Sequence, residues 1–173
     1  MCKFRDLRAD EIECRVQSVK QNGLVLLLYK DARVDMNILD ETVGSANWQR
    51  EHYECKGNLF CRVGINVNYY ANDNLVEKWV FKSDCGTESN TEAQKGEASD
   101  SFKRACFNWG IGRELYTAPF TWIPSDKCDI ANGKCYDKFV IEKIQIENKQ
   151  ITALAIYNVT KKCRAFVWMK DKA

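Results

Sequence analysis

The sequence predicts an α+β fold: an antiparallel β-meander followed by a long helix packed on it, a β-β-β-α core with an additional C-terminal β-hairpin. Three observations predict it. Leu59, Cys61, Val63, Ile65, Val67 and Tyr69 alternate with Arg62, Gly64, Asn66 and Asn68, the two-residue period of a half-buried strand. Ala98, Phe102, Ala105 and Trp109 fall at i, i+4, i+7 and i+11, one stripe of a helix. Two strand-like segments, Lys138 to Ile146 and Gln150 to Tyr157, flank the turn residues Glu147-Asn148-Lys149 as a hairpin.

The elements follow in order. A first helix is expected from about Asp10 to Gln21, because Asp10 and Glu13 make a capping-box pattern and Ile12, Val16 and Val19 make a stripe that Asn22-Gly23 stops. Leu24 to Tyr29 is a short continuous apolar run and reads as a buried strand. Asp31 opens a second helix that runs to Val43 and ends at Gly44. Three strands follow: Trp48 to Cys55, then Leu59 to Tyr69 after the turn Lys56-Gly57-Asn58, then Leu75 to Ser83 after Ala71-Asn72-Asp73-Asn74. One face of this meander should be apolar and the other polar, the latter carrying Arg50, Arg62, Lys78 and Lys82. The long helix is expected from about Glu92 to Trp109, with Thr91 and Gln94 as its capping pair and Gly110 as its stop. At 100° per residue Lys103 lies beside its buried stripe and Arg104 on the far side. Thr121 to Lys134 reads as a connector and not a domain boundary, and Cys163 to Met169 as a last strand. The whole chain is expected to be one domain of 173 residues, long enough to fold without a metal or disulfide staple.

Composition excludes several function classes. With 45% apolar and 29% charged residues the chain is neither disordered nor fibrous. Mean hydropathy is −0.46, and the longest apolar run, Leu24 to Tyr29, falls far short of the ~20 residues a membrane span needs. The opening Met1-Cys2-Lys3-Phe4-Arg5-Asp6 lacks the apolar core of a signal peptide, so an intracellular protein is expected. Nine scattered cysteines without a Cys-x-x-Cys pair read as reduced thiols, mostly small core filler. The net charge of +2 decides nothing by itself, but the last turn and strand are locally basic, with Lys161, Lys162, Arg164, Lys170 and Lys172 against Asp171.

Few constellations carry chemistry. A cysteine–histidine pair would need His52, the one histidine, which sits on an expected strand with no positioning motif. Gly110-Ile111-Gly112 follows a helix instead of opening one and reads as a cap and turn. Asp126 or Asp137 with Glu147 and Lys149 gives the order of a metal-dependent nuclease motif, but Glu147 to Lys149 falls in a turn, where side chains do not converge on a metal. Glu97 and Asp100 could share a metal, yet pairing with Lys103 and Arg104 one turn on explains them more cheaply. Cations near the end of a long helix, on a sheet face and in a basic tail are parts that could track phosphates, and an ordinary mixed-charge surface stays open beside that reading.

The segment Gly96 to Tyr116, with Asp100, Lys103-Arg104-Ala105, Trp109-Gly110 and Leu115-Tyr116, resembles the signature helix of the Rad-fifty-two-like single-strand annealing family. The likeness extends upstream to Leu7-Arg8-Ala9-Asp10-Glu11, to Asp31-Ala32-Arg33-Val34 and to Gly44-Ser45-Ala46-Asn47-Trp48, and is closest to the compact bacteriophage and prophage type. It covers residues 5–123; 124–173 would be a hairpin extension of no assigned role. The resemblance implies sequence-independent binding of single-stranded DNA and ATP-independent annealing of complementary strands in recombination and break repair, by a homo-oligomer in ring form. It implies no chemical step, cofactor or metal, and a setting in the cytoplasm of a bacterial host, with a phage exonuclease or host single-strand binding protein as candidate partners. By position it carries over Lys103 and Arg104 as the basic pair of the DNA groove and Arg33 as a contact to the same strand. Lys95 is a looser carry-over, and Arg62 joins from the polar sheet face. The sequence departs from the family at Ser45, where an aromatic is usual, at Phe107, where an arginine is usual, and in a shortened Gly86 to Thr91 stretch. Two other readings stay open: a metal-dependent nuclease, and a phage interaction protein that kept the fold and lost DNA binding.

Overall fold

A computed structural model describes residues 3–71, 74–87 and 93–171. In chain order its regular elements are β1 (Glu13–Lys20), β2 (Gly23–Tyr29), α1 (Ala32–Val43), β3 (Trp48–Cys55), β4 (Asn58–Asn66), β5 (Tyr69–Ala71), β6 (Asn74–Val76), β7 (Trp79–Cys85), α2 (Ala93–Trp109), β8 (Thr121–Pro124), β9 (Ile130–Ala131), β10 (Lys134–Cys135), β11 (Phe139–Glu147), β12 (Gln150–Asn158) and β13 (Cys163–Met169), with short 3-10 turns between some of them. The fold is α+β, as the sequence predicts, with antiparallel sheets throughout the described residues. No helix among those residues is long and apolar enough to cross a membrane.

The chain divides into two compact units, Met1–Arg5 with Ala32–Gly112, and Asp6–Asp31 with Arg113–Ala173. In the first, β3, β4 and β7 form a three-stranded sheet in that order, and β5 with β6 forms a separate short ribbon. The expected third strand from Leu75 is thus two pieces, and the Asn72-Asp73 turn lies outside the described residues. On β4 the alternation is exact where it matters: Cys61, Val63 and Ile65 are fully buried while Arg62 is exposed. On α2, Phe102 and Ala105 are fully buried, and Trp109 Nε1 donates to the Val63 carbonyl at 3.0 Å. Glu97 accepts from the Leu59 amide at 3.1 Å. The expected Thr91 cap lies outside the described residues.

Helix α1 stops as predicted at Gly44, whose φ of 84° is the left-handed value that glycine adopts without penalty. Its amide closes the last turn on the Asp40 carbonyl at 3.0 Å, and Asn47 Nδ2 covers the Val43 carbonyl at 2.9 Å. Gly86 matters for a different reason. A Cβ there would lie 2.2 Å from the backbone carbonyl oxygen of Glu97, so the chain leaves β7 in direct backbone contact with α2. Gly86→Ala should therefore cost about 2–3 kcal/mol as an overpacked contact, read as a lower midpoint in urea with an unchanged slope.

In the second unit a six-stranded sheet runs β13-β12-β11-β1-β2-β8. It curls until β13 comes back near β8, which makes it nearly a barrel. The expected hairpin is present, its turn at Asn148 and Lys149 with φ of 51° and 61°, but it shares its sheet with strands from the start of the chain. Two expectations fail here. Thr121–Pro124 is not connector but strand β8, paired with β2. Asp10 to Gln21 is not a helix: after a 3-10 turn at Ala9–Glu11 the chain runs as β1. The cause is a β-bulge at Gln17, where the register jumps between Val16 and Ser18. Val16 pairs with Leu26 and Val19 with Leu24, so two residues three apart share one face. A bulge reverses the alternation, and the result imitates a helical stripe.

Candidate nucleic-acid interface

The two faces of the β3–β4–β7 sheet differ in what they hold. Arg50 is the cross-strand partner of Val63, His52 of Cys61 and Trp48 of Ile65. These side chains meet α2: Trp48 stacks on Phe102 at 6.2 Å between centroids, the Arg50 guanidinium lies 4.7 Å over the same ring, and His52 Nε2 is 3.1 Å from the Ala98 carbonyl, which it can reach only as a donor. Lys82, opposite Val63 on the other side, donates to the Asn108 carbonyl at 2.7 Å and sits 4.6 Å over Trp109. Arg50 and Lys82 therefore belong to the helix-covered face, not to a polar face shared with Arg62.

Arg62 lies on the opposite side. It pairs across the strands with Glu51, its Nε donates to that carboxylate at 2.8 Å, and its guanidinium stands 5.2 Å over Phe81. Phe81 in turn fills the space that Gly64 leaves, where a Cβ would come within 2.4 Å of the ring.

The basic pair on α2 splits as the helical period demands. Arg104 turns to the β7 edge, with Nε 3.3 Å from Asp84 Oδ1. The carboxylates expected to hold the pair are engaged elsewhere, Glu97 with Leu59 and Asp100 with the Thr87 amide at 3.1 Å. Lys103 is half-buried and, among the described residues, has no hydrogen bond or ion pair. One residue past Phe102, it stands about 100° round the helix from that ring. Lys95 lies eight positions earlier, exposed, about 80° round the helix from Lys103 and nearer the line of Phe102.

Helix α1 packs against α2 and β3. It buries Ile38 and Leu39, and its Asp40 accepts from Trp48 Nε1 at 2.6 Å. Arg33 stands exposed in its first turn, roughly 10 Å along the axis from Asp40. So α1, β3 and α2 carry Arg33, Arg50, Lys103 and Lys95, while Arg104 and Arg62 point elsewhere. Arg50 is the residue that sequence reasoning leaves out of the site. Alternation along β3 was visible, but which β4 residue stands across from Arg50 is a matter of register.

The thiols and carboxylates are occupied structurally. Burial pushes the Cys61 thiol up to about 11, with Arg50 pulling the other way, and burial alone pushes Cys14 up to about 12. Both are protonated near neutral pH and poor nucleophiles. Asp137 accepts from the Asp129 amide at 2.9 Å and from Asn158 Nδ2 at 2.7 Å. Lys149, expected in a solvated turn, instead bridges Asp6 at 2.9 Å and the fully buried Glu114 at 3.8 Å. Glu114 also accepts from the Leu7 amide at 2.7 Å, a contact with no signal in the sequence. Among the described residues no three histidine, cysteine or carboxylate side chains gather to hold a metal.

The Arg50 guanidinium over the Phe102 ring, with no acidic side chain set against it among the described residues, suits a polyanion. That class is specified further by comparison: the sequence profile of the Rad52/22 family double-strand break repair protein matches residues 4–129. The chain belongs to this family, whose members act in DNA repair by single-strand annealing. No curated protein matches it.

Proposed function

We propose that this protein binds single-stranded DNA without sequence preference and anneals complementary strands without ATP, as an oligomer that holds one strand extended across successive protomers. Its β3–β4–β7 sheet with α2 is the annealing core. The observation that carries the reading is the exposed Arg50 guanidinium held over Phe102, on the helix that bears Lys103, in a chain whose family anneals single strands. Arg33, Arg50, Lys95 and Lys103 hold phosphates, and the bases face outward. Neighbouring protomers turn each further contact into an intramolecular one, so a strand is held by many weak grips instead of one strong one. Arg104 serves by fixing α2 to the β7 edge through Asp84. Arg62, committed to Glu51 on the other side of the sheet, takes at most an outer contact.

Fluorescence annealing of labelled complementary oligonucleotides, without ATP or added metal, tests this across a salt series. Acceleration should fade as salt rises. Four phosphate contacts per protomer give a binding slope of roughly −3 on a logarithmic plot, and Arg50→Ala should flatten it by about 0.7. Arg62→Ala should leave the slope in place. An equal loss in both variants would remove the distinction between the two sheet faces, and strands cut when magnesium is restored would replace annealing with nuclease chemistry.

A further inference from the structure

The six-stranded sheet carries a surface that the family match does not account for, since most of it lies beyond residue 129. Register places Lys143, Ala155 and Val167 in one row across β11, β12 and β13, and Gln145, Ala153 and Met169 in the next. A small residue on the central strand is flanked both times by larger ones, so the two alanines form the floor of a trough. An open groove of about 770 Å³ follows it, reached also by Asp6 to Ala9 and by Trp168.

Its walls are unusual for a solvated sheet. Val167 is 66% exposed and Met169 is 70% exposed, side by side on β13 where a water-facing strand would carry polar residues. Around this apolar strip stand Arg8, Lys143 and Arg164, against Asp6 alone among the acids that line it. Asp6 is neutralised by Lys149 and Arg164 by Glu142. Lys143 has no hydrogen bond or ion pair among the described residues.

The geometry points to a docking groove for an acidic amphipathic peptide segment of another protein, its large apolar side chains laid on Ala153 and Ala155 and its carboxylates on the cationic rim. With Asp6 and Arg164 each held in an ion pair, Lys143 is the rim cation that selects an acidic partner. The aliphatic walls select side chains over bases: a single-strand platform presents several aromatics on which bases stack, and among the described residues Trp168 is the one aromatic that lines the groove. The site is independent of the Lys103 flank.

Fluorescence polarisation of a labelled peptide alternating Asp with Phe and Leu, on the full chain, tests the assignment. Saturable binding is expected, weakened at least tenfold by Val167→Glu and by Met169→Glu. Both positions are exposed, so neither change should disturb folding, and Tyr136→Glu at another exposed site should leave binding intact. Lys103→Ala should also bind the peptide normally, which keeps failure here separate from failure of the DNA reading. The assignment is overturned by absence of saturable binding, by equal binding of an Asn-for-Asp peptide, by indifference to both groove variants, or by displacement of the peptide with oligothymidine, which would make the groove a nucleic-acid surface.

Discussion

A chain carrying Lys103→Ala together with Arg33→Ala is expected to lose single-strand DNA binding in low salt while unfolding at an unchanged temperature. Each cation, engaged by a phosphate oxygen, contributes about 1.5–3 kcal/mol as a charge-assisted hydrogen bond. Removing both should weaken binding roughly a hundredfold or more per protomer, and further where several protomers share one strand. The fold should not suffer. Lys103 makes no ion pair or hydrogen bond among the described residues, and Arg33 is exposed in a first helical turn. Trimming an exposed arginine and a half-buried lysine without such a partner should cost only about 0.5 kcal/mol each. Filter binding beside a thermal melt separates the two effects, and unchanged affinity in low salt would sink the site.

The largest loss of stability is expected from Phe102→Ala. Phe102 is fully buried, stacked on Trp48 and covered by Arg50. Deleting the ring should cost about 3–5 kcal/mol through lost transfer energy and the cavity left behind, roughly 10 °C of melting temperature for a chain of this length. Phe102→Leu fills most of that volume and should recover part of the loss. The same variant tests whether the ring organises the cations: at a temperature where Phe102→Ala is still folded, DNA affinity should fall as it does in Arg50→Ala. Affinity equal to the wild type in the folded variant would show that Arg50 needs no aromatic support.

Most elements were legible because their signals are local. Helix α2 announces itself by four apolar residues at helical spacing and a glycine stop, β4 by strict alternation, and the β11–β12 turn by Asn148-Lys149. Three features escaped because their causes are not local. The Val16/Val19 spacing of β1 comes from a bulge that exists only against β2. Arg50 and Arg62 look equivalent along the chain, and only pairing with β4 sends them to opposite sides. Glu114 reads as one more surface acid until Leu7 and Lys149, from distant parts of the sequence, arrive around it. The angle between Lys103 and Arg104, by contrast, is fixed by the helix alone, and Arg104 meets Asp84 at the β7 edge.

The pairing of β1 with β11 has a consequence for synthesis. Glu13 lies beside Val140, so strand β1 leaves the ribosome long before its neighbour exists, and the Leu7 amide waits for Glu114. The unit of Met1–Arg5 with Ala32–Gly112 needs nothing beyond Gly112, and such a unit can close once that residue emerges, whereas contacts of high sequence separation form late. The nascent protein thus completes the part that holds Arg33, Arg50 and Lys103 first. Strands β1 and β2 remain an unfinished hairpin until β8 and β11 have been made, and a chain truncated before β11 keeps an open sheet edge.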